Sequence, residues 1–239
     1  MRFGLRVSQA GALEPLRRHL LQSGCQLLDD PLVDVLFSYR VGGPRGRGRH
    51  DFHLLYSAAR QVLRTRDAAD IQSALWQQLQ LQGGAVAPQV AVLSASLLEW
   101  QGRGVLLMSP GRSGRTSLLQ ALGRLGGRVR GDHLCPVDEH GLVHPCPQPD
   151  TDLLEKPLPL AGILCTQYRA GARGQLRRLS PAQACVELFK CCLGARQQPH
   201  QVLQRLTGLA RRVPCWKGSR GGVEDGLQPL VAHLQRRLG

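Results

Sequence analysis

An α/β domain over about residues 86–239, preceded by a small α+β segment over residues 1–85, is the fold the sequence predicts. Three observations carry that expectation. Residues 90–98 and 105–108 are continuous apolar runs, the pattern of strands buried on both faces. Beyond them, strand-like and helix-like segments alternate, as in a domain built from β-α units. Before them, alternating strands flank a glycine loop, which reads as an antiparallel hairpin with helices beside it.

In order, residues 2–7 read as a strand with Phe3, Leu5 and Val7 on one face. A helix follows over 12–22, where Leu13, Leu16, Leu20 and Leu21 recur at helical spacing. Residues 33–41 alternate as a second strand, 42–50 form a loop, and 51–57 a third strand. If the strand over 33–41 lies at a sheet edge, it offers a place for an added peptide strand. Residues 68–81 are helical, with Ile71, Leu75 and Leu79 in line, and Gly83-Gly84 is expected to end that helix. Its glutamines (Gln72, Gln77, Gln78, Gln80, Gln82) read as a solvated face.

In the second segment, residues 90–98 form one strand, 99–104 a turn and 105–108 another strand. A Ser/Gly/Pro/Arg loop over 109–115 leads into a helix over 116–124, closed by Gly126-Gly127. Residues 128–130 form a short strand, and the proline-rich stretch 136–159 reads as mostly loop. Strands over 160–166 and 175–179 precede a helix opened by Ser180 as cap and Pro181 at its first position. Helix 202–211, strand 214–217 and helix 227–238 complete the chain.

Composition sets outer limits. The 239 residues suffice to bury a sizeable core, and 42% hydrophobic content argues against intrinsic disorder. No stretch approaches the roughly 20 apolar residues of a membrane span, and the N-terminus lacks a secretory pattern, so a cytoplasmic protein without membrane partners is expected. Eight cysteines are too few for a disulfide scaffold, and Cys191-Cys192 reads as core or interface. The formal charge is +14, from 31 Lys+Arg against 17 Asp+Glu, and Lys156, Lys190 and Lys217 are the only lysines. The arginines are scattered; Arg45-Gly46-Arg47-Gly48-Arg49-His50 is the densest group and reads as a mobile loop ahead of a phosphate-binding arm.

The segment over 104–124 carries a mechanism. Phosphate-binding loops have the form GxxxxGK[ST]: backbone amides and a helix N-terminus cradle phosphate, the lysine neutralises it, and the hydroxyl holds magnesium. Here the register reads Ser109-Pro110-Gly111-Arg112-Ser113-Gly114-Arg115-Thr116. Gly114 and Thr116 fit, whereas Ser109 replaces the first glycine and Arg115 the lysine. That second change matters, because arginine is a broad planar fork and lysine a compact point charge. The phosphate-binding candidates are Ser109, Gly111, Ser113, Gly114, Arg115 and Thr116. Asp132, at the end of the next strand, is placed to hold magnesium with Thr116 or to act as a base.

The order of these elements resembles the HPr kinase/phosphorylase-related family, whose kinase domain is similar to phosphoenolpyruvate carboxykinases. The resemblance rests on Leu93-Ser94-Ala95-Ser96-Leu97-Leu98-Glu99, Val105 to Met108, the loop Ser109 to Thr116, the helix to Gly127, and Gly131-Asp132-His133. Later parts fit too: Gly162-Ile163-Leu164-Cys165 with Tyr168, Leu179-Ser180-Pro181-Ala182-Gln183-Ala184, Val213-Pro214-Cys215-Trp216, and the last helix. It implies a mixed-sheet P-loop kinase-like core over 86–239, with ATP and magnesium as cofactors if the loop functions. The departures fall at the chemistry. Ser94 stands at the family's histidine, Ser109 and Arg115 alter the loop, His133 replaces a second acid, and Thr166-Gln167 stands where an arginine belongs. Asp132 and Thr116 remain. With the apolar pattern preserved, this reads as a fold that has outlasted its catalysis.

Two His-x-Cys pairs, His133/Cys135 and His144/Cys146, have the chemistry of a zinc site but not a zinc-finger spacing, and read as incidental loop residues. No Gly-x-Ser-x-Gly elbow surrounds Ser113 or Ser94. The leading functional expectation is a catalytically degenerate binding or assembly factor for a protein or peptide, within a peptide-modification pathway. The alternative is an ATP-dependent serine kinase with Asp132 as base; a basic nucleic-acid-binding protein stands third. Homo-oligomers like those of the resembled kinases are compatible with each.

Overall fold

A computed structural model of the chain describes residues 1–45, 49–87, 89–109, 114–144, 146, 156–172 and 175–238. The chain divides into two units, one containing residues 1–83 and the other residues 84–146 and 156–238 among those described.

The first unit runs β1 (Phe3–Val7), α1 (Leu13–Gln22), β2 (Val35–Arg40), β3 (Pro44–Arg45), β4 (Arg49–His50), β5 (His53–Ser57), β6 (Arg60–Thr65) and α2 (Ala68–Ala85). Its main sheet has the order β1-β2-β5-β6, with β1 parallel to β2 and the other pairs antiparallel. Alternation sorts Phe3, Leu5, Val35, Phe37, Tyr39 and Leu55 onto one face, where Leu16 of α1 and Ile71, Leu75, Trp76 and Leu79 of α2 cover them. Three expectations change here. β2 is paired on both sides, so it is no edge for an added strand. The stretch expected as loop carries the ribbon β3–β4, with residues 46–48 outside the described set. And α2 continues through Gly83-Gly84: a Cβ on Gly84 would sit 3.3 Å from Val92 and Leu193, so this glycine serves close packing.

The second unit runs β7 (Val90–Leu93), β8 (Ser96–Trp100), β9 (Arg103–Met108), α3 (Arg115–Arg124), β10 (Arg128–Gly131), β11 (Cys135–Asp138), β12 (Leu142–Val143), β13 (Leu158–Tyr168), β14 (Leu176–Arg178), α4 (Pro181–Cys191), α5 (Pro199–Arg212), β15 (Cys215–Arg220) and α6 (Val223–Leu238). They form one mixed sheet of nine strands, ordered β10-β8-β9-β13-β12-β11-β7, with β15 also on β13 and β14 on β15. The long β13 serves two neighbours on one side. Its first residues pair with β12 and its last six with β15, so the sheet forks there.

Both faces of this sheet are apolar, as the continuous runs predict. Leu97, Leu106, Ile163 and Cys165 pack with Leu188 of α4 and Leu206 of α5. Their alternates Leu98, Val105, Leu107 and Leu164 pack with Leu118 and Leu122 of α3 and Leu230 and Leu234 of α6. Burying one such leucine contributes about 1.5–3 kcal/mol, so two full layers of them dominate the stability. The expected single strand over 90–98 is two strands. At Ser94 the amide donates to the Cys191 carbonyl at 2.7 Å, outside the sheet, and the chain then changes neighbours: β7 pairs with β11, β8 with β9 and β10. The β8–β9 turn is tight, with Gln101 at φ 49° and Gly102 at φ 74°. The stretch expected as loop after residue 136 contributes β11 and β12. Ser180 caps α4 as expected, accepting the Gln183 amide while the Gln183 side chain accepts the Ser180 amide. Among the described residues no helix is long and apolar enough to cross a membrane.

Candidate functional site

β9, β13 and β15 run parallel and adjacent. β10 points the same way, being antiparallel to β8, which is antiparallel to β9. Ligands of open α/β sheets bind beyond the carboxyl ends of such strands. Here those ends gather Ser109 after β9, Asp132 after β10, Thr166 in β13 and Arg220 closing β15, with Ser96 opening the antiparallel β8 beside them.

α3 begins at this edge. Gly114 caps it with φ 69°, a left-handed conformation that glycine takes without a Cβ penalty, and its carbonyl accepts the Leu118 amide at 3.1 Å. Glycine brings no capping side chain, so among the described residues the start of the helix is capped by no side chain. Thr116 is exposed on the first turn. Gly111 and Ser113, with Pro110 and Arg112, lie outside the described residues.

Arg115 reaches Asp132. Its Nη2 lies 3.2 Å from Asp132 Oδ1, with side chains 16% and 26% exposed respectively. The same Oδ1 accepts the hydroxyl of the fully buried Ser96 and, at 2.9 Å, the amide of His133. His133 holds a positive φ of 80°, a costly conformation for a non-glycine residue, and its Nε2 is 3.9 Å from Asp132 Oδ2. Nearby, Ser109 Oγ and Thr166 Oγ1 lie 2.8 Å apart. Arg220 is 4% exposed, and a Cβ on Gly114 would stand 3.5 Å from its Nη2, which places that guanidinium at the start of α3. Burial pulls the Arg220 guanidinium below the usual arginine range, opposed by the Tyr168 hydroxyl.

Of the residues the sequence singled out, Ser109, Gly114, Arg115, Thr116 and Asp132 thus meet at one edge. Ser96, Thr166 and Arg220 join them. Ser96 left a trace as a hydroxyl within an apolar run; Arg220 left none among so many arginines. Among the described residues, Asp132 Oδ1 thus holds a guanidinium and two hydrogen-bond donors, and that guanidinium is Arg115, the cation that the loop motif assigns to phosphate.

In the two His-x-Cys pairs, the Cys135 and Cys146 thiols lie close enough to interact electrostatically. His144 Nε2 bonds Asp138 Oδ2 at 2.8 Å, and the buried Cys135 thiol donates to the Ala95 carbonyl at 3.4 Å. Burial pushes the Cys146 thiol up to about 11. Among the described residues no three His, Cys, Asp or Glu side chains form a metal-binding group.

No family model and no curated protein matches this sequence. Among solved structures, the Hpr(Ser) kinase/phosphatase from Coxiella burnetii is similar at 12% identity and a TM-score of 0.34, covering 62% of this chain and 96% of that one. A likeness at that level carries no conclusion about activity.

Proposed function

We propose that this chain is a catalytically degenerate, kinase-like binding or assembly factor for a protein or peptide. The observation that carries the reading is the Arg115–Asp132 pair. Phosphoryl transfer is almost entirely the placing of charge, with a cation on the phosphates and a carboxylate free for metal or acceptor. Here the cation at the start of α3 and the carboxylate after β10 neutralise one another, and the Ser96 hydroxyl adds a second tie. The apolar layers on both sides of the sheet are complete, as a retained scaffold requires. The proposed partner's chemistry follows the resemblance in the sequence, whose kinases act on protein.

The test is the thermal midpoint with and without millimolar magnesium-ATP. A nucleotide at about 100 times its Kd stabilises by about 2.7 kcal/mol. For a chain of this size that is a rise of roughly 5–11 °C. The reading expects no such rise. A rise abolished in both Arg115→Ala and Asp132→Asn would restore the serine-kinase alternative.

A further inference from the structure

The first unit has a sheet face that neither of its helices covers. α1 and α2 pack on the face of Phe37, Tyr39 and Leu55. On the opposite face, the register aligns Arg6 with Ser38, Ser38 with Tyr56 and Tyr56 with Gln61. The neighbouring row aligns Arg40 with Leu54 and Leu54 with Arg64. Arg6, Arg40 and Arg64 are all exposed, and neither row contains an aspartate or glutamate. Arg40 and Arg64 stand two strands apart, about 10 Å.

Aromatic rings accompany these cations. Tyr56 is half-buried in the Arg6 row, and a cavity of about 580 Å³ opens there, lined by Arg6, Ser38, Arg40 and Tyr56. That volume is in the range of sites for small organic groups. Beside the second row, the Arg64 guanidinium sits 3.9 Å from the Phe52 ring centroid and that of Arg66 5.1 Å. Arginines beside the Tyr56 and Phe52 rings, on two rows that lack carboxylates, suit a ligand that is both polyanionic and flat-ringed. A lipid headgroup or a peptide run of Asp and Glu supplies the charge but no stacking partner. Single-stranded nucleic acid supplies both, with phosphates for the guanidinium groups and bases for the rings.

We propose that this face binds single-stranded nucleic acid, with Arg6, Arg40 and Arg64 on phosphates and Tyr56 under a base. The proposal is independent of the reading of the Arg115–Asp132 site.

The test is fluorescence anisotropy of a labelled single-stranded oligothymidine with the full chain over a range of salt. Each phosphate contact contributes about 0.7 to the slope of log affinity against log salt. Replacing Arg6, Arg40 and Arg64 together by alanine is therefore expected to flatten the slope by about 2. Loss of one stacking ring in Tyr56→Ala is expected to weaken binding about 5- to 150-fold at every salt. Tyr56→Leu replaces it if the alanine variant fails to fold, and thermal melts check each variant. As controls, Arg177→Ala and Arg211→Ala, in the other unit, leave binding unchanged. Absence of binding at low salt, an unchanged slope in the triple variant, or an unchanged affinity without the Tyr56 ring overturns the proposal. So does equal affinity for polyglutamate or anionic phosphatidylserine vesicles, which would mark a surface that senses charge alone.

Discussion

Replacing Asp132 by asparagine separates a structural tie from a working carboxylate by the sign of its effect on stability. In the structure Oδ1 takes the Ser96 hydroxyl, the Arg115 guanidinium at 3.2 Å and the His133 amide at 2.9 Å. Hydrogen bonds to charged groups contribute about 1.5–3 kcal/mol each when buried. With Asp132 about a quarter exposed, solvent screening reduces that. Asparagine keeps an acceptor oxygen but loses the charge, so a loss of about 1–2 kcal/mol is expected, a fall in midpoint of roughly 2–8 °C for a chain of this size. Asp132→Ala also strands the Ser96 hydroxyl, which is fully buried, and is expected to lose about 2–4 kcal/mol in total. Urea denaturation followed by tryptophan fluorescence measures both. A double-mutant cycle with Arg115→Met is expected to give a coupling of about 0.5–3 kcal/mol. An active site behaves in the opposite way, because a carboxylate kept ready for chemistry is held at a cost and its removal is neutral or stabilising. An Asp132→Asn protein as stable as the parent, or more so, would refute the tie between Arg115 and Asp132 as the state of this site.

Two further predictions concern other places. A Cβ on Gly218 would lie 2.0 Å from the Gln175 carbonyl oxygen, so Gly218→Ala forces β14 off β15 and is expected to lose about 1–3 kcal/mol in urea denaturation. Gly123, in α3, has nothing within 4 Å of such a Cβ, and Gly123→Ala is expected to gain about 0.4–1 kcal/mol; an equal effect from both would show that space does not decide. Burial raises the Asp138 carboxyl, but the hydrogen bonds from His144 and the Leu142 and His140 amides, together with the His144 charge, outweigh it and hold the group below its usual range. Its contribution is therefore present above the unfolded carboxylate value of about 4 and disappears as pH falls through the lower folded value. The stability advantage over Asp138→Asn is expected to shrink between pH 6 and pH 3 in thermal melts, and a constant difference would contradict the assignment.

What the sequence revealed depended on how local each signal was. The start of α4 was legible because Ser180, Pro181 and Gln183 act within one turn. Burial of residues 90–98 was legible from their apolarity, but the break at Ser94 was not, since it comes from the Cys191 carbonyl nearly a hundred residues away. β6 was missed because Arg60-Gln61-Val62-Leu63-Arg64-Thr65 is a half-exposed edge with only Val62 and Leu63 to mark it. β11 and β12 are short and hold their place by pairing with β7 and β13. At the candidate site, motif spacing singled out Arg115 and Thr116, and the end of the next strand Asp132. That Arg115 turns to Asp132, and that Ser96 rather than Ser94 reaches it, follows from strand register, which no motif encodes.

The fork at β13 also bears on how this protein is made. The strands that flank its carboxyl half are separated by more than a hundred residues, β9 ending at Met108 and β15 starting at Cys215. On a ribosome, a nascent chain that has emerged only as far as residue 210 therefore leaves Ile163, Leu164 and Cys165 paired with β9 on one side and open on the other, with the layer that α6 completes unfinished. Such edges recruit other strands, and long-range parallel pairings close slowly. Synthesis of this chain thus passes through a stretch of some fifty residues, from β13 to β15, in which one side of β13 waits for its neighbour, an interval in which a holding chaperone has something to bind.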